Sequence, residues 1–266
     1  IWSSMERVRE ARTVWRSAVQ QVTELIEIST TSESSAQHVE DAIKALDMLP
    51  WDGTVKGFKV EGSVDDLTFW FTKDWLKSDH EDQMPELLAS DLGLTDSSTI
   101  CIQNSFFVKS LARAYSNPEA YRTAQGFAWL RRIGGSFATK DRTCLGTMAN
   151  KNENHWVALA IDSEKESVSY GDGFRGTPSP LLRKHLDWWL FEHLGVAFKW
   201  GDIPVTKQND PHLCSLLPSL SYGCFPLPKC TAAIMADERL KMFLRIVQRH
   251  KEKGFASEAR DYEFTF

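Results

Sequence analysis

Two short apolar segments separated by a polar break constrain this chain more than any other feature of it. His155 to Asp162 (HWVALAID) is a strand-length apolar run, and Glu166 to Tyr170 (ESVSY) alternates polar with apolar residues. Together they predict an antiparallel hairpin. With the turn centred between Ser163 and Glu164, Asp162 faces Lys165, and the same register sets His155 opposite Asp172. Directly opposed residues share a face, with Cβ atoms about 4.5–5.5 Å apart. At that distance the carboxylate can accept the imidazole Nδ1–H, fix the tautomer and favour the imidazolium. A slip of one residue would send the two side chains to opposite faces. A His and an Asp in one hairpin are more often incidental than paired for chemistry, so the pairing needs support from elsewhere in the chain.

That support is the stretch from Gln208 to Cys214 (QNDPHLC) and the apolar residues after it. A polar, turn-prone segment delivers Cys214 to the start of a segment able to begin a helix. Free backbone N–H groups and the helix dipole there favour thiolate over thiol. The same N–H groups can receive an oxyanion, and the Gln208 amide, six residues upstream, is a plausible further donor. An imidazole partner completes a thiolate–imidazolium pair. Taken alone, Cys214 reads as a buried structural thiol. His212 is a competing base, disfavoured because neighbours in sequence rarely align in space with a nucleophile.

The remaining pattern is α+β, with strands in the middle third. Apolar residues from Trp2 to Ile26 recur at helical spacing, Ser29 to Ser35 reads as a linker, and a second helix is expected from Ala36 to Leu46. Residues 1–50 therefore form an expected N-terminal helical hairpin, either a packing extension or a docking arm, and 51–266 the main domain. Leu67 to Leu92 predicts one or two helices, Leu111 to Ile133 another, and Ser179 to Leu194 an amphipathic helix that places Trp188 and Trp189 in the core. Val196 to Ile203 is a third candidate strand, and Asp237 to Lys251 a charged terminal helix. His80, in the acidic run Ser-Asp-His-Glu-Asp, reads as part of a solvated helix face rather than a metal ligand. His185 and His193 read as satisfied surface or boundary histidines.

Composition excludes several functions. A net charge of −5 and an isoelectric point near 5.8 leave no basic surface for a nucleic-acid backbone. No apolar run approaches the roughly 18 residues of a membrane span. The chain opens on Ile1, and the first 25 residues are too charged for a signal peptide, so it is expected to be a piece of something longer. Five cysteines (101, 144, 214, 224 and 230) are an odd number with neither a disulfide framework nor zinc spacing. They point to a reducing, intracellular compartment, nucleus or cytoplasm, and four of them to inert buried thiols. No metal or cofactor is implied.

The order His155-Trp156, then Asp172 in Tyr-Gly-Asp-Gly, then Gln208, then Cys214 resembles the ubiquitin-like-protein proteases of the SUMO-protease type, related to the adenovirus protease. Asp74-Trp75-Leu76 is similar to the Trp-Leu motif that opens the family's domain, and the resemblance covers about residues 60 to 250. It implies a papain-like, adenain-like fold in which a central mixed or antiparallel sheet is flanked by helices. It also implies cleavage after the C-terminal glycine of a ubiquitin-like modifier, free or conjugated, by a Cys214–His155–Asp172 triad with Gln208 at the oxyanion. Trp75 and Trp156 would then wall the diglycine tail, since flat indoles admit glycine and exclude a Cβ; on their own residues, both read equally well as core. The chain departs from the family's pattern at Leu213 and Ser215 around the nucleophile, at Pro218, and in the displaced acidic position near Ser78 and Asp79. Two other expectations share the fold: an acyltransferase using the triad with acetyl-CoA, for which no basic pocket is visible, and a catalytically weak modifier-binding protein.

Overall fold

The hairpin forms, with a longer turn than the pattern predicts. The computed structural model describes residues 2–28, 33–50, 53–72, 76–151, 155–205 and 232–262. Strand β3 (His155–Asp162) pairs antiparallel with β4 (Ser167–Gly171) in a register that matches Asp162 with Ser167 and Ala158 with Gly171. The loop is therefore Ser163 to Glu166, in place of a two-residue turn. Asp162 is the reason: its Oδ1 accepts the Lys165 N–H at 2.9 Å, and its Oδ2 meets the Lys165 ammonium at 2.8 Å. A side chain that caps its own turn removes that N–H from the ladder, and Glu166 follows at φ +49° before pairing resumes.

Two strands were not expected from the sequence. β1 (Ile100–Ile102) runs parallel to β2 (Cys144–Lys151), which pairs antiparallel with β3; on the far side β5 (Lys199–Asp202) runs parallel to β4. The sheet is mixed, in the order β1-β2-β3-β4-β5. β2 reads CLGTMANK, with no β-branched run and a glycine inside it, so its sequence carries little strand signal. It is a strand because β3 lies beside it.

Helices α4 (Phe106–Ser116), α5 (Pro118–Thr123), α6 (Ala128–Ala138) and α7 (Pro180–Leu194) belong with this sheet. Helix α7 obeys its local signals. The Ser179 side chain accepts the Leu182 N–H, Pro180 fills the first helical position, and Gly195 ends the helix at φ +68°. Its Leu186, Trp189 and Leu190 pack with Phe107 and Leu111 of α4, Phe137 of α6, and Val157, Leu159 and Ile161 of β3. The odd-numbered residues of β3 thus face this core, and His155 continues their row.

The chain divides into two compact units, residues 85–228 and residues 1–84 with 229–266. The second unit contains α1 (Trp2–Ile28) and α2 (Glu33–Met48), a short 3-10 segment (Asp65–Phe71), the start of α3 (Ser78–Asp91) and α8 (Ala232–Tyr262). Helix α2 begins at Glu33, inside the expected linker. The Trp15 indole N–H donates to the Leu46 carbonyl and closes the hairpin. His38 meets Asp237 of α8 at 2.7 Å, so within its unit the hairpin packs with the terminal helix. The expected solvated face at His80 is wrong. His80 is 1% exposed, packs against Trp70, and accepts the Lys77 N–H on Nδ1. Burial, with Lys77 and Arg239 nearby, pushes its pKa down to about 3, so it is a neutral core histidine.

Candidate active site

His155 and Asp172 meet, by a different route from direct opposition. The β3–β4 ladder ends at Ala158 and Gly171, and its continuation sets Asp172 against Val157, two positions from His155. A two-residue displacement keeps the face that a one-residue slip would lose. The pair is diagonal, and the side chains span the extra distance. This explains which nitrogen is used. His155 Nε2, the far ring atom, lies 2.7 Å from Asp172 Oδ1, where the direct register called for Nδ1.

The carboxylate is held on all sides. Oδ1 also accepts the Phe174 N–H at 2.8 Å; Oδ2 accepts from the Lys151 ammonium and from the Tyr170 hydroxyl, each at 3.2 Å. The Asp172 side chain is 2% exposed. Burial alone would raise its pKa, but the hydrogen bonds from His155, from the Phe174 N–H and from Lys151, with the His155 charge, outweigh it and hold the carboxyl below its usual range. Burial and the Asp172 charge push the Tyr170 phenol up, so it stays a donor. The Arg175 N–H closes the turn onto the Asp172 carbonyl, and the Phe174 ring lies over the imidazole with centroids 4.6 Å apart. The result is an anchored carboxylate that fixes one face of an imidazole, the arrangement that orients a general base.

Lys151, Tyr170, Phe174 and Gly176 were missed by sequence reasoning. Lys151 directly opposes His155 across β2 and β3, a pairing that a sequence without strand signal in β2 does not show. Tyr170 does carry a signal, since it lies two residues before Asp172 on the same face. Gly176 is required by space: a Cβ there would sit 2.7 Å from both Asp172 Oδ2 and Lys151 Nζ. Trp156 is buried at 5% exposure, beside His155 on the opposite face of β3. Cys214, Gln208, His212 and Trp75 lie outside the described residues. Of the cysteines described, burial raises the pKa of both Cys101 and Cys144, which disfavours the thiolate. A cavity of about 240 Å³ lies between α4, the start of α7 and the ends of β2 and β3, and Lys151 forms part of its wall.

No protein-family model matches the sequence, and no curated protein matches it. Solved structures do. The SUMO protease Ulp1, with its catalytic cysteine oxidised to a sulfinic acid, superposes at a TM-score of 0.61 and 17% identity, covering 79% of this chain and 95% of its own. The chain has the Ulp1 protease fold. The C-terminal Ulp1 domain in complex with Smt3, the yeast SUMO, gives 0.58 at 15% identity, covering 84% of this chain and 97% of its own. The Ulp1-like SUMO protease domain of Chaetomium thermophilum gives 0.55 at 17% identity, covering 82% and 89%. The α+β expectation, with a central mixed sheet flanked by helices, therefore holds, and the Ulp1 fold extends over most of both compact units.

Proposed function

We propose that the protein is a cysteine protease that cleaves after the C-terminal glycine of a ubiquitin-like modifier, of the SUMO type acted on by the Ulp1 enzymes. The observation that carries this reading is the buried His155–Asp172 pair, supported by the Ulp1 fold around it. With Nε2 engaged by the carboxylate, Nδ1 is the atom that would take the proton of the Cys214 thiol. The thiolate would attack the glycine carbonyl carbon while the Gln208 amide and backbone N–H groups hold the oxyanion. His155 would return the proton to the leaving amine, of a lysine or of a precursor peptide, and then activate the water that hydrolyses the thioester. Trp75 and Trp156 would flank the diglycine tail. The modifier, free or conjugated, is the proposed partner, with no nucleic acid or membrane involved, in a reducing intracellular compartment. Residues 1–50 are proposed as an extension to a protease domain spanning 51–266.

The test is a panel of modifiers bearing a C-terminal electrophile. A SUMO-type probe should label the wild-type protein, and Cys214→Ala should abolish labelling. Labelling that survives Cys214→Ala would overturn the assignment of the nucleophile. Leu213, Ser215 and Pro218 favour a second reading, a modifier-binding protein with weak chemistry. Tight binding without turnover, unchanged in Cys214→Ser, would support that reading instead. Acetyl transfer from acetyl-CoA to a protein, without hydrolysis of any modifier, would replace the protease reading with an acyltransferase.

A further inference from the structure

Asp172 orients His155, and the structure shows a second cation on the same carboxylate. Lys151 Nζ reaches Asp172 Oδ2 at 3.2 Å and the Thr177 carbonyl at 3.1 Å. Its side chain is only 24% exposed, and it stands directly across the sheet from His155. Backbone space is reserved for this contact, because the position nearest both Nζ and Oδ2 is occupied by Gly176. We propose that Lys151 is a positioning residue of the His155–Asp172 pair, tying the end of β2 to the 172–177 turn and taking half of the carboxylate, so that Oδ1 alone serves the imidazole.

Two consequences follow from the geometry. The first is steric. With Lys151 on Oδ2 and the Phe174 N–H on Oδ1, the carboxylate cannot rotate, and the imidazole has one acceptor in one place. The second is electrostatic. The carboxylate charge is divided between an ammonium and an imidazole, and a positive charge at Lys151 opposes a second one on His155. Lys151 therefore shares with His155 the one negative charge that Asp172 supplies. The imidazole meets Asp172 and Phe174 of the turn, while Lys151 from β2 and Tyr170 from β4 meet the other oxygen of the same carboxylate. Of these, Lys151 alone is a cation and Tyr170 remains neutral.

This inference rests on the protease reading for its catalytic meaning and on the dyad alone for its test. Two variants perturb one contact from opposite sides: Lys151→Met keeps the length of the chain and removes the charge, while Gly176→Ala leaves the lysine and fills the space it needs. Both should remain folded, as checked by circular dichroism and a thermal melt. The readout is the proton titration of the His155 imidazole, assigned against His155→Gln, in wild type, each variant and the double variant. The expected result is a titration displaced to higher pH in Lys151→Met, a displacement in the same direction in Gly176→Ala, and a double variant no further displaced than Lys151→Met. The acid limb of any modifier cleavage should move the same way. An unmoved imidazole titration in folded Lys151→Met, or fully additive effects in the double variant, overturns the proposal. Should cleavage be absent from the wild type, the protease reading fails while the titration still decides this one.

Discussion

Asp172→Asn is the sharpest probe of the site, because it keeps the shape and changes what each atom can do. Asp172 accepts four hydrogen bonds, two on each oxygen, and every partner is a donor. An asparagine presents one oxygen and one NH2 group. Whichever way the amide turns, its NH2 faces two donors: His155 and the Phe174 N–H in one orientation, Lys151 and Tyr170 in the other. Charge-assisted hydrogen bonds contribute about 1.5–3 kcal/mol each. The Lys151 contact is worth less than that, since the ammonium is partly in water. The amide will therefore keep its oxygen toward His155 and Phe174 and lose the Lys151 side, at a cost of about 2–3 kcal/mol including the repelled donors. Urea unfolding followed by tryptophan fluorescence at pH 7 reads this directly. Where the protein hydrolyses a modifier, kcat/KM should fall roughly hundred- to ten-thousand-fold, because a neutral amide no longer stabilises the imidazolium. A loss of stability below about 0.5 kcal/mol, outside the usual cost of disturbing a buried charged network, would refute the four-bond account of Asp172.

Three further outcomes are expected. The Asp172 carboxyl is held below its ordinary range, so its contribution is complete above the unfolded carboxylate pKa of about 3.9 and is lost as pH falls through the lower folded value. The stability difference between wild type and Asp172→Ala should hence be flat from about pH 5 to 8 and shrink below about pH 4; a gap that widened in acid would reverse the sign of the argument. Glu166→Gly should stabilise the protein by about 0.5–1 kcal/mol in a thermal melt, because Glu166 sits at φ +49° where glycine is unstrained; a lowered melting temperature would count against strain at that turn. In Gly134→Ala the new methyl group would collide with the His193 ring, which hydrogen-bonds the Tyr121 hydroxyl at 2.5 Å. Overpacking there should cost about 1–3 kcal/mol by chemical denaturation, and a neutral substitution would show that the close contact relaxes freely.

The sequence carried the hairpin, the helix α7 and the identity of the dyad, because each depends on local periodicity or on caps adjacent in the chain. It misplaced the turn, since the pattern alone cannot show that Asp162 will spend its side chain on the Lys165 N–H. That error was harmless by parity: two residues of displacement return His155 and Asp172 to one face. Strands β1 and β2 escaped notice because their stability comes from neighbours distant in sequence, and a run such as CLGTMANK has no period of its own. Lys151 was lost with β2. His80 was misread for the converse reason: an acidic neighbourhood suggests solvent, yet Trp70 and the Lys77 backbone cover and satisfy the ring. Polar residues near a buried element are where composition misleads.

The dyad stands at the open end of the β3–β4 hairpin, as far from the Ser163–Glu166 turn as the two strands allow. A hairpin that zips from its turn joins Asp162 to Ser167 first and reaches the His155–Asp172 contact, 17 residues apart in the chain, last. Fraying runs in the opposite order. A molecule whose strand ends have parted keeps Leu159 and Ile161 in the core and passes as folded by most probes, yet its imidazole has lost its acceptor. The His155–Asp172 contact is thereby tied to completion of the strand pair, and mild denaturant should break it before the core gives way.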